Sequence, residues 1–183
     1  MLQLSDIPNA ICVLRILLVV PTVWALLAGR FDLALLLVFV AGFSDALDGF
    51  LAKTFDWRSR LGGILDPLAD KLLLVSLFVA LALRGLIPPW LAAVVVGRDV
   101  VIVMGGVAYN FMIGPVQPAP SRVSKLNTLA QLVCIVSVIA RAALQWPAAA
   151  AITDAGAAVL VTSVVSGLDY VIRWGGKAIA ARA

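Results

Sequence analysis

An all-helical, polytopic membrane bundle is the fold class predicted here, and three observations predict it. Apolar residues make up 63% of the 183-residue chain, against roughly 45–50% in ordinary soluble domains. Charged residues make up only 13%, and the mean hydropathy is +1.08. The apolar residues also fall into six runs close to the roughly 20 residues that a helix needs to cross the hydrocarbon core. A single soluble core of this size could not bury so much apolar surface.

The runs cover residues 10–28, 33–53, 64–83, 89–111, 126–145 and 152–172. Backbone groups in lipid must bond internally, so each is predicted to be a transmembrane helix. The breaks carry turn chemistry: Gly29 to Asp32, Gly62-Gly63, Gly85 with Pro88-Pro89, Gly114 to Pro120, and Gln145 to Pro147. All the connections are short, so residues 1–183 read as one integral-membrane domain. The first run is read as a retained span and not a signal peptide, because Arg15 interrupts it and no soluble domain follows.

The basic residues orient the spans. With both termini cytoplasmic, Lys53, Arg58, Arg60, Arg122, Lys125, Arg173, Lys177 and Arg182 collect on the inner side. Only Arg30, Arg84 and Arg141 fall outside, while Arg15, Lys71 and Arg98 lie within spans. That distribution follows the positive-inside rule, and a plasma (inner) membrane is the expected location. The net charge of +4 suits an anionic inner leaflet and is too scattered for a nucleic-acid surface.

Composition also limits the chemistry. Every one of the 10 acidic residues is Asp, and there is no His. Imidazole bases, His-dependent triads and His-ligated zinc are excluded, so acid–base work falls to Asp, Lys, Tyr, Cys or a metal-bound water. Cys12 and Cys134 lie in apolar runs and read as buried, reduced thiols.

Carboxylates inside a membrane point to function. Asp45 and Asp48 end the second span, and Asp66 and Asp70 begin the third. The i, i+3 and i, i+4 spacings put each pair on one side of its helix. The short loop between the helices brings all four to one depth near the cytoplasmic face. Lys53, Arg58, Arg60 and Lys71 are nearby in sequence, but Lys71 is rotated off the Asp66/Asp70 face. Ion pairing with these residues is the packing alternative, and two face-matched acidic pairs exceed what packing requires. Oxygen-only ligands favour a hard divalent ion, Mg²⁺ or Mn²⁺, with phosphate groups completing its coordination. Gly49, Gly62 and Gly63 would allow close backbone approach to such a ligand.

The run Asp45-x2-Asp48-Gly49-x2-Ala52-Lys53-x8-Gly62-x3-Asp66-x3-Asp70 resembles the signature of the CDP-alcohol phosphatidyltransferases, D-x2-D-G-x2-A-R-x8-G-x3-D-x3-D. Each defined position matches except Lys53, where the family has Arg. Lysine neutralises a phosphate but lacks the planar two-point hydrogen bond of guanidinium. The resemblance implies a six-helix homodimer with a cytoplasm-facing site. It implies transfer of the phosphatidyl group of CDP-diacylglycerol to an alcohol, with release of CMP. Asp45, Asp48, Asp66 and Asp70 would hold two metal ions, and Asp70 would also be the catalytic base. Asn9, Gly49, Lys53, Ser59 and Gly62 would lie at the donor, with Arg15 in the family's N-terminal Asn…Arg element.

Two later segments, Gly97-Arg98-Asp99 and Ser124 to Thr128, resemble the branch of the family that acts on glycerol phosphates. Arg98, Arg122 and Lys125 would bind a phosphate-bearing acceptor. For Arg98 an intramembrane ion pair with Asp99 is an equal alternative, and Arg122 also fits a lipid-headgroup contact. Glycerol 3-phosphate is the first expectation for the acceptor, giving phosphatidylglycerol phosphate. Phosphatidylglycerol, the acceptor of CDP-alcohol-type cardiolipin synthases, is the second. A metal or ion transporter built on the Asp cluster is the reading from another class, but the second half has no matching acidic pair. Trp24, Trp57, Trp90, Trp146 and Trp174 read as interfacial anchors, Gly105-Gly106 as close helix packing, and Asp154 and Asp169 as caps of the last span.

Overall fold

A computed structural model describes residues 7–54, 62–112 and 121–180, and within them all side chains except those of 7–10, 46, 48–54, 62–68, 108–109, 112 and 174–180. Six helices run in order: α1 (Ile7–Leu27), α2 (Phe31–Thr54), α3 (Gly62–Leu83), α4 (Pro89–Met112), α5 (Arg122–Leu144) and α6 (Ala149–Ala180). All six predicted spans are present as helices. Among the described residues, Pro89–Val107, Arg122–Leu144 and Ala149–Arg173 are long and apolar enough to cross a membrane, and Ile11–Leu27 is a shorter apolar helix.

Local sequence explains the ends. Helix α1 stops at Gly29 (φ 74°), where Gly29 N–H donates to the Leu26 carbonyl and Arg30 N–H to that of Ala25. Helix α3 stops the same way at Gly85 (φ 67°), with Gly85 N–H on Ala82 and Leu86 N–H on Leu81. These paired bonds satisfy helix-end carbonyls, and the left-handed position costs glycine nothing. Helix α5 begins one turn before the expected boundary, because the Ser121 hydroxyl caps it by accepting from Ser124 N–H at 3.2 Å. Helix α6 has 32 residues. At about 1.5 Å per residue it is longer than the roughly 30 Å hydrocarbon core.

Packing closes the helices into a ring. Helix α1 packs on α2 and α3, α2 on α5, α5 on α6, α6 on α4, and α4 on α3, while α3 also reaches α5 across the middle. Leu26, Leu77, Phe78, Leu81, Ile135 and Ile139 fill the interior. Large apolar side chains also face outward, including Val20, Phe39, Leu83 and Phe111. A surface of that kind is the one lipid requires. Trp24, Trp90 and Trp146 are exposed, as interfacial anchoring asks, while Trp57 and the Trp174 side chain lie outside the described residues. Cys12 and Cys134 are both buried.

Candidate active site

The two acid-bearing helices flank α1, and Arg15 of α1 joins them. Its Nη1 lies 2.9 Å from Asp45 Oδ1 on α2 and donates a hydrogen bond of 2.6 Å to Asp70 Oδ1 on α3. Arg15 is 1% exposed, whereas the Asp45 and Asp70 side chains are 51% and 41% exposed. A guanidinium does not give up its proton in a protein, so burying it requires carboxylates. Two carboxylates from different helices therefore converge on a single cation position and still open outward.

The chemistry of that pair suits a hard divalent ion, since it offers anionic oxygens from two helices on partly exposed side chains, while the point on which both converge is filled by the buried Arg15 guanidinium. Asp48 and Asp66 lie one turn along α2 and α3 from Asp45 and Asp70, and their side chains are outside the described residues. So are the side chains of Asn9 and Lys53, and Ser59 as a whole, while Gly49 and Gly62 lie within α2 and at the start of α3. The tie from Arg15 to the acidic pair was not anticipated, although its signal was present. A lone arginine in an apolar helix demands a buried counter-ion.

A second polar cluster joins the other helices. Asp99 of α4 accepts from Arg98 Nη1 at 2.6 Å and is also ion-paired with Lys71 of α3. Arg98 Nη2 donates to Ser124 Oγ of α5 at 2.8 Å and to Ser166 Oγ of α6. Arg98 and Asp99 are both buried. Lys71 thus turns away from Asp70, as helical rotation predicts. The Arg98–Asp99 pair exists, so the packing role of Arg98 is real, and the two later sequence segments do meet through Arg98 and Ser124. Arg122 and Lys125 are exposed on the first turn of α5. Ser166 carried no sequence signal.

Below this cluster, α5 and α6 share buried hydrogen bonds. The Asn127 side-chain carbonyl accepts from Thr162 Oγ1 and Ser163 Oγ, each at 2.9 Å. One turn on, Gln131 is fully buried, and its amide makes no hydrogen bond among the described residues. Asp154 is exposed, and Asp169 pairs with Arg173 one turn later at 2.6 Å.

Fold and site together define a helical integral-membrane protein whose polar chemistry is concentrated on two aspartate-bearing helices. The chain belongs to the CDP-alcohol phosphatidyltransferase family, whose pattern it matches over residues 5–173. It is 36% identical over 148 residues to a cardiolipin synthase (CMP-forming)/mitochondrial hydrolase fusion protein of Schizosaccharomyces pombe, covering 72% of this chain and 25% of that one. It is 34% identical over 150 residues to human cardiolipin synthase (CMP-forming), covering 73% and 50% of the two chains. A Streptomyces coelicolor cardiolipin synthase (CMP-forming) is 37% identical over 112 residues, with 57% and 52% covered. The chain thus spans between a quarter and about half of the length of these relatives.

Proposed function

We propose that this protein transfers the phosphatidyl group of CDP-diacylglycerol to an alcohol, releasing CMP, and that the alcohol is phosphatidylglycerol, so that the product is cardiolipin. The observation that carries the reading is the convergence of Asp45 and Asp70 on one cation position, inside the run of residues that matches the family signature. The relatives' names favour phosphatidylglycerol over glycerol 3-phosphate, reversing the order expected from the sequence.

Asp45, Asp48, Asp66 and Asp70 would hold two divalent ions, Mg²⁺ or Mn²⁺. Bound there, the metal would withdraw charge from the donor diphosphate and stabilise departing CMP. Asp70 takes the proton of the acceptor hydroxyl as its oxygen bonds to the phosphatidyl phosphorus and the bond to CMP breaks. Lys53, Asn9, Ser59, Gly49 and Gly62 hold the donor. Arg122 and Lys125, exposed on the first turn of α5, would bind an acceptor phosphate together with Arg98. The site faces the cytoplasm of an inner membrane, both termini are cytoplasmic, and the enzyme works as a homodimer.

The test is CMP release from CDP-diacylglycerol by purified protein in detergent with Mg²⁺ or Mn²⁺. Phosphatidylglycerol, glycerol 3-phosphate, inositol phosphate and serine are offered separately. Release with phosphatidylglycerol, abolished by EDTA and lowered at least about a hundredfold in Asp70→Asn, is the expected result. Release with glycerol 3-phosphate alone would replace the acceptor. Metal binding without release from any acceptor would favour a transporter.

A further inference from the structure

Arg15 occupies an unusual electrostatic position. One nitrogen of a nearly inaccessible guanidinium serves two carboxylates from two different helices. Without a cation between them, Asp45 and Asp70 would repel each other across the α2/α3 gap. Lys71, next in sequence to Asp70, is engaged with Asp99 instead. Arg15 therefore supplies positive charge to the same oxygen pair that a divalent ion would take.

We propose that Arg15 is a resident counter-cation: it holds the acidic helices together in the metal-free protein and competes with the divalent ion for Asp45 and Asp70. The inference rests on the metal-binding reading above. Arginine suits the task because it keeps its charge at any working pH, and its Nη1 lies within reach of both carboxylates. It is a positioning residue that lowers metal affinity while preserving the metal-free site. The aspartates can then exchange partners, from guanidinium to metal, without either helix being left with uncompensated charge.

The experiment measures Mn²⁺ binding to the detergent-solubilised full chain by electron paramagnetic resonance, and thermal midpoints in EDTA and in saturating Mn²⁺. In Arg15→Gln, loss of a positive charge beside the ion should tighten Mn²⁺ binding by roughly ten- to hundredfold. The same variant should have a lower midpoint in EDTA and gain more from Mn²⁺ than wild type does. Arg15→Lys keeps the charge and should bind within about threefold of wild type. Equal or weaker binding in Arg15→Gln would overturn the proposal by showing that Arg15 supports the metal site. If Arg15→Gln is recovered only in Mn²⁺, that is the metal-free instability the proposal predicts, and its affinity is then read by chelator titration. If it is not recovered at all, Arg15→Lys decides: binding more than about tenfold weaker than wild type refutes competition, and wild-type binding supports it. Absence of Mn²⁺ binding in wild type would instead remove the metal reading itself.

Discussion

Asp99→Leu tests how far the Arg98 cluster holds α3, α4, α5 and α6 together. The substitution is close in shape and removes the carboxylate that Arg98 and Lys71 share. Removing one member of a buried ion pair typically costs about 3–5 kcal/mol, because the other charge is left without compensation. Two features reduce that figure. Arg98 keeps the Ser124 and Ser166 hydroxyls, although side-chain hydrogen bonds between membrane helices average only about 0.6 kcal/mol. Asp99 Oδ2 is also buried with no hydrogen bond among the described residues, and leucine relieves that desolvation, worth about 1–2 kcal/mol. The net expectation is a loss of about 2–3 kcal/mol. It would be measured by SDS-induced unfolding in mixed micelles, followed by tryptophan fluorescence and far-UV circular dichroism. Arg98→Met in the Asp99→Leu background should recover about 1–2 kcal/mol, as in a double-mutant cycle between touching residues. A loss below about 1 kcal/mol, or strict additivity of the two substitutions, would show that the ion pair does not stabilise the bundle.

A methyl group at Gly105 would stand 2.9 Å from Tyr170 Cε1 and 3.3 Å from its Oη, so Gly105→Ala should cost about 1–2 kcal/mol. Tyr170→Leu should recover most of that loss in the same unfolding assay, and failure to recover would place the strain elsewhere. Gln131 has a fully buried amide with no hydrogen bond among the described residues, so Gln131→Met should be neutral or stabilising by up to about 2 kcal/mol. A clear loss of stability there would mean that the amide has a partner. Gly29 combines φ 74° with Arg84 Nη2 only 3.2 Å from the position of a β-carbon, so Gly29→Ala should lower stability by about 1 kcal/mol or more. An unchanged unfolding midpoint would show that the turn between α1 and α2 adapts freely.

Much of the architecture is local in origin and so could be read from residue order. The six helices follow from apolar runs of spanning length. Gly29 and Gly85 end α1 and α3 because their left-handed backbone is cheap only for glycine. The placement of Asp45 on α2 and Asp70 on α3, and the turning of Lys71 away from Asp70, follow from helical periodicity alone. Tertiary structure decided which helices touch. In a chain that is apolar on nearly all sides, periodicity does not mark the inward face, since lipid accepts the same side chains as the core. The ring order, the meeting of Arg98 with Ser166 across α4 and α6, and the bridge from Arg15 to both acidic helices depend on how the helices cross. Each charged side chain within a span forecast that a partner must exist, because an uncompensated charge there is costly. Which partner it found was settled only when packing brought the helices together.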